Sequence, residues 1–171
     1  MRLRATALLF VLLLTIALVV LWSNRDAVAL RSVPAVAADA RADRTLSDAD
    51  VARLGRTIER SVGYVEGLFQ RSFASPPKVL LFATRRSFSE GLSARFGYSE
   101  GAVTFLATNH GGVFDPATTT IAMSLEALGV NGVAPTLEHE LTHLMVREAT
   151  AARALPTWFE EGIATLAERQ P

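Results

Sequence analysis

Two histidines and a glutamate follow the pattern H-E-x-x-H at His139, Glu140 and His143. Residues four apart lie on one face of a helix, so the two imidazoles can bind the same zinc ion. The glutamate between them is the residue type that takes a proton from water activated by zinc. The pattern therefore indicates a catalytic zinc site, with His139 and His143 as metal ligands and Glu140 as the general base.

The residues around this pattern favour a helix. Pro135 suits a first helical turn, and residues 136–148 contain neither Gly nor Pro. Leu137, Leu141 and Leu144 recur at helical spacing, whereas the two histidines lie on nearly the opposite side. We expect the leucine stripe to enter the core and the histidines to face a cleft.

A catalytic zinc ion takes three protein ligands and leaves a fourth position for water. A second helix is predicted from Thr157, and its adjacent acids Glu160 and Glu161 are candidates for the third ligand. Thr157 and Glu160 have the spacing of a capping box, in which each side chain binds a backbone N–H at the helix start. Glu161 is then the predicted ligand and Glu160 the alternative. Thr165, one turn later, either orients a ligand or is an ordinary exposed threonine.

Other metal-site patterns fit less well. A metzincin needs Gly and His three and six residues after the second histidine, but Val146 and Ala149 stand there. His110 lies in a Gly-rich stretch and is expected to be a solvated loop residue rather than a ligand. With no cysteine in the chain, thiolate sites and disulfides are excluded.

The pair of motifs, HELTH at residues 139–143 and P-x-W-x-x-E-G-x-A at residues 156–164, resembles the gluzincin metallopeptidases, specifically the peptidase MA-like family. The resemblance extends over about residues 78–171. It implies an α+β metallopeptidase domain in which a small sheet packs on helices that include the HExxH helix.

The resemblance also implies an activity. It is that of a Zn²⁺-dependent peptidase acting on a peptide or protein substrate, with His139, His143 and Glu161 as ligands and Glu140 as base and acid. One strand is then expected to form the cleft edge and pair with the substrate backbone, and residues 119–125 are our choice.

A second interpretation is a catalytically inactive, zinc-stabilised binding or scaffold domain, or a fragment of a longer peptidase. Gluzincins usually continue beyond the third ligand with helices that close the cleft and often supply a Tyr or His to the oxyanion. Here few residues follow Glu161, and the tyrosines Tyr64 and Tyr98 lie far upstream.

The N-terminal residues indicate a membrane segment. After Arg2 and Arg4, residues 5–22 are uncharged and reach about 27 Å as a helix, close to the thickness of a hydrocarbon core. This run exceeds the apolar region of about 7–15 residues typical of signal peptides. We predict that residues 1–25 are an uncleaved anchor holding the domain on the non-cytoplasmic side. The alternative is a cleaved signal and a secreted protein.

Residues 26–44 are predicted to be a linker, and residues 45–171 a single domain. Within the domain, residue patterns predict two further helices, at 46–71 with Ser47 as its cap and at 86–96, and strands at 78–83, 103–107 and 119–125.

Composition excludes one class of partner. The 17 basic and 17 acidic residues balance, and no basic cluster follows the N-terminal segment, so nucleic-acid binding is not expected. The pattern leaves the substrate and the oligomeric state undetermined.

Overall fold

A mixed five-stranded sheet lies between two layers of helices in the computed structural model, which describes residues 28–168 without the side chains of residues 130 and 131. The strands are β1 (Leu30–Ser32), β2 (Asp39–Asp43), β3 (Lys78–Phe82), β4 (Gly112–Asp115) and β5 (Thr120–Ser124). The helices are α1 (Asp48–Phe69), α2 (Arg85–Phe96), α3 (Glu100–Asn109), α4 (Leu125–Ala149) and α5 (Thr157–Ala167).

The strand order is β1-β2-β3-β5-β4. β3 is parallel to both of its neighbours, and Val79 pairs with Ile121 of β5. The edge strands β1 and β4 are antiparallel to their neighbours, β2 and β5. Alternate residues of the central strands enter two separate cores, with Val79 and Leu81 on one face and Phe82 on the other. Both faces of β3 are thus buried, as its continuous apolar run requires.

Several predicted elements are confirmed. The helix predicted at residues 46–71 is α1, and the Ser47 side chain accepts the Asp50 N–H at 3.1 Å at its start. The predicted elements at 78–83, 86–96 and 119–125 correspond to β3, α2 and β5. The metal-motif helix begins earlier than predicted, since α4 starts at Leu125 and bends at Gly129, whose φ is 63°. Pro135 therefore lies inside α4 and not at its first turn.

The strand predicted at residues 103–107 is wrong, because this segment belongs to α3. The Ser99 side chain accepts the Ala102 N–H and caps the helix. Val103, Leu106 and Ala107, at helical spacing, pack against the core that contains Phe82. Tertiary packing along one helical face has overridden the β-branched and aromatic content of the segment. The partner of β5 in the hairpin is β4 instead.

The linker predicted at residues 26–44 is also wrong in part, since β1 and β2 lie within it. β2 is alanine-rich and gives little local strand signal. It is held by parallel pairing with β3, and Ala40 and Ala42 are buried against the core.

The prediction that a membrane helix precedes the α+β domain is corrected. No helix within residues 28–168 is long and apolar enough to cross a membrane. The predicted anchor, at residues 1–25, lies outside the described residues. What the structure supports is an α+β domain with a mixed sheet. The predicted membrane-anchored, non-cytoplasmic location is likewise corrected, because no described helix supports membrane anchoring.

Candidate metal centre

The histidine helix α4 is oriented by its apolar stripe. Leu137 and Leu141 are fully buried in the core formed with α1 and the sheet, and Leu144 is nearly so. The imidazoles of His139 and His143 are 19% and 15% exposed, on the opposite side of the helix. This is the predicted arrangement, with the stripe in the core and the histidines at a cleft.

The third candidate ligand comes from α5, which packs mainly on α4. The predicted capping box is absent: Pro156 takes the N-cap position, and no side chain caps the helix. Thr157 is already the first helical residue, whereas a capping side chain must come from the residue before it. Ala164 and Ala167 are buried, and their small side chains allow α5 to lie close to α4.

Three candidate ligand side chains converge between the two helices. The Nε2 atoms of His139 and His143 are 3.1 Å apart. The Glu161 carboxylate places Oε2 at 3.4 Å from the first of these nitrogens and Oε1 at 3.6 Å from the second. Bonds of about 2.0–2.2 Å in a tetrahedron put two zinc ligands about 3.3–3.6 Å apart. The spacing of the three side chains fits one zinc ion.

A hydrogen bond fixes which nitrogen of His139 carries the proton. Nδ1 of His139 lies 2.6 Å from Oε1 of Glu168. An ionised carboxylate only accepts hydrogen bonds, so Nδ1 must donate. In the neutral ring Nε2 then carries a lone pair, directed toward the Glu161 carboxylate, which is also an acceptor. A cation between them satisfies both, and carboxylate–histidine pairs of this kind orient metal ligands.

Burial lowers the pKa of the His143 imidazole, and the neighbouring His139 lowers it further. The ring is therefore neutral at pH 7. A neutral imidazole is the form that binds a metal ion.

Glu140 lies on the sheet side of the ligands. Its side chain is buried, with 7% of the residue exposed, and burial raises the pKa of its carboxyl to about 7 against the opposing effect of His139. A backbone hydrogen bond from Phe114 of β4 also opposes this rise of the pKa. A base whose pKa lies near the working pH is suited to general acid–base catalysis.

The edge strand β4 borders the site. Gly112 leaves room for Glu140: a Cβ there would lie 2.6 Å from Cγ2 of Thr136 and 3.3 Å from Oε1 of Glu140. A cavity of about 550 Å³ is lined by β4, by the three candidate ligand residues and by Glu140. The predicted cleft-edge strand at residues 119–125 is wrong, because β5 is internal to the sheet and β4 forms the edge.

The other residues considered for the metal site lie outside the group of candidate ligands. Glu160 lines the cavity but contributes no atom to the ligand triangle. Thr165 is exposed and does not have the predicted orienting role. The residue that contacts a candidate ligand is Glu168, whose carboxylate lies against His139. Glu168 was missed although it follows Glu161 by two helical turns and so shares its face. His110 also lines the cavity, its ring 5.4 Å from that of Phe105.

Comparison with known protein families, curated proteins and solved structures gave no match to this chain.

Proposed function

We propose that this protein is a zinc-dependent peptidase of gluzincin type. The observation that carries the proposal is the convergence of His139, His143 and Glu161 at tetrahedral ligand spacing beside a buried Glu140. Ligands of the His₂Glu type are typical of catalytic zinc, which keeps an open coordination position.

A zinc ion held by His139, His143 and Glu161 would supply a water of lowered pKa and would polarise the scissile carbonyl. Glu140 would take up a proton as general base and pass it to the leaving amine as general acid. Glu168 holds the His139 ring so that Nε2 faces the metal position.

The edge of β4 supplies a place for the peptide. Its outer side has no neighbouring strand among the described residues, so apart from the Phe114 backbone group bonded to Glu140 its outward N–H and C=O groups are available to an extended chain. Gly112 keeps the strand close to Glu140, which brings a peptide on this edge near the base.

Peptide cleavage and metal content, measured together, test the proposal. Glu140→Gln should retain the zinc of the wild type and lose about 10²–10⁴-fold in cleavage rate, because it removes only the base. Glu100→Gln is the matched control on an exposed helix start and should cleave normally. A wild-type protein that holds zinc and cleaves nothing in a diverse peptide library would instead favour the scaffold interpretation.

A further inference from the structure

Two arginines, Arg147 and Arg153, line the cavity that contains the ligand triangle. Neither forms an ion pair with any acidic group within residues 28–168. Glu160 and Glu161 line the same cavity yet lie beyond ion-pair distance of both. The cavity thus carries two guanidinium groups whose charge the described part of the protein does not neutralise by pairing.

Arg147 is placed by the helix that carries the histidines. It follows His143 by four residues and His139 by eight, so all three share a face of α4. Four residues advance the helix by about 6 Å, which is comparable to the length of an arginine side chain. Arg147 is partly buried and also lines a second cavity, next to Lys78. It therefore lies in the wall of the cleft, one helical turn from the metal ligands.

Arg153 is held near Arg147 by the loop between α4 and α5. The Ala152 N–H donates to the Arg147 carbonyl at 2.8 Å, and the Arg153 N–H donates to the Thr150 carbonyl at 3.1 Å. Ala151 and Ala152 have positive φ angles of 51° and 59°, which turn the chain back. The backbone at Arg153 is thus fixed beside the end of α4.

We propose that Arg147 and Arg153 form a carboxylate-binding subsite that selects peptides with a carboxylate close to the scissile bond. The proposal rests on the peptidase function proposed above. Guanidinium groups bind carboxylates through two parallel charge-assisted hydrogen bonds, which gives both geometric selectivity and affinity. The carboxylate belongs either to an Asp or Glu side chain or to the free C-terminus of the peptide.

Equilibrium binding tests the subsite without depending on turnover. The probes are fluorescent peptides of one sequence with Asp or Glu, or the matching amides Asn or Gln, at each position, each with a free or an amidated C-terminus. The protein is the full chain carrying Glu140→Gln, loaded with zinc. We expect the best carboxylate peptide to bind at least roughly tenfold more tightly than its amide counterpart, as charge-assisted bonds allow.

The arginine variants assign that preference. Arg147→Ala should reduce the ratio of the two affinities toward one, and the double variant with Arg153→Ala should abolish it. Arg56→Ala removes the same charge from an exposed position of α1 and should keep the ratio. Comparison of the Asp and Glu peptides with their Asn and Gln counterparts, and of free with amidated C-termini, shows which carboxylate is bound.

The outcomes separate the two proposals. Equal or undetectable binding of carboxylate and amide peptides to the Glu140→Gln protein, which requires no arginine variant to observe, overturns the subsite. Retention of the preference in the double arginine variant overturns it as well. If carboxylate peptides bind selectively but the protein with Glu140 intact cleaves none of them, the subsite stands and the peptidase function fails. Cleavage without preference rejects the subsite alone.

Discussion

The Nδ1 atom of His139 lies 2.6 Å from Oε1 of Glu168, so one ring nitrogen of a proposed metal ligand is held by a carboxylate at the end of α5. The other ring nitrogen faces His143 and Glu161. Glu161 and Glu168 are seven residues apart and lie on the same side of α5. The packing of α5 on α4 therefore positions both the proposed ligand Glu161 and Glu168, which orients His139.

Removing this contact should weaken metal binding without abolishing it. Glu168→Ala leaves the ring of His139 free to rotate and to change tautomer, so zinc affinity should fall about 10–100-fold. Competition with a zinc chelator measures the change. Thr165→Ala is the control on an exposed position of the same helix and should bind zinc like the wild type. Equal affinity of the Glu168 variant and the wild type would contradict the orienting role.

A side chain at Gly112 should reduce both stability and activity. A Cβ there approaches Cγ2 of Thr136 to 2.6 Å and Oε1 of Glu140 to 3.3 Å, so Gly112→Ala forces β4 or Thr136 to move and crowds the Glu140 carboxyl. We expect a loss of about 1–3 kcal/mol in the free energy of unfolding, and slower peptide cleavage at unchanged zinc content. Denaturant unfolding and metal analysis check both. A variant as stable and as active as the wild type would show that Gly112 does not set the spacing.

Two glycines of α1 should respond oppositely to the same substitution. A Cβ at Gly55 would lie 2.4 Å from the Pro34 carbonyl oxygen, whereas one at Gly63 meets nothing within 4 Å. Gly55→Ala should destabilise the protein by about 1–3 kcal/mol through overpacking. Gly63→Ala should stabilise it by up to about 1 kcal/mol, since Ala favours a helix interior. Thermal unfolding of the pair decides, and shifts of the same sign would refute the close approach of α1 to Pro34.

Asp115 should make the fold sensitive to acid. Burial alone would raise the pKa of its carboxyl, but hydrogen bonds from Thr118 and Tyr98 hold that pKa below its usual 3.8. A lowered folded-state pKa contributes stability above about pH 4 that is lost as the pH falls through the folded value. Asp115→Asn should therefore be less stable at pH 7 and show a shallower loss on acidification. Unfolding curves from pH 7 to pH 2 measure this, with the exposed Asp39→Asn as control. Parallel curves for wild type and Asp115→Asn would exclude the effect.

Local patterns predicted the elements whose signals lie within one helix or strand. The spacing of Leu137, Leu141 and Leu144 correctly placed one face of α4 in the core and the histidines at the cleft. The continuous apolar run of β3 likewise matched a strand that is buried on both faces.

The remaining parts depend on contacts between distant residues. Ala40 and Ala42 form a strand because β3 lies beside them, and nothing local favours that conformation. The contact from Glu168 to His139 requires α5 to dock on α4, which spacing alone did not reveal. The β-branched and aromatic residues of segment 103–107 favour a strand, but the Ser99 cap and the packing of Val103, Leu106 and Ala107 along one face stabilise a helix.

Zinc stoichiometry of the purified full chain and its ligand variants tests the central claim most directly. We expect one zinc ion per wild-type chain, its loss in His139→Ala and His143→Ala, and marked weakening in Glu161→Gln, because a neutral amide replaces an anionic ligand. Glu160→Gln, the adjacent control, should retain the ion, since Glu160 contributes no atom to the ligand triangle. Stoichiometric zinc in a variant lacking both histidines, or its release by Glu160→Gln but not by Glu161→Gln, would contradict the proposed metal centre.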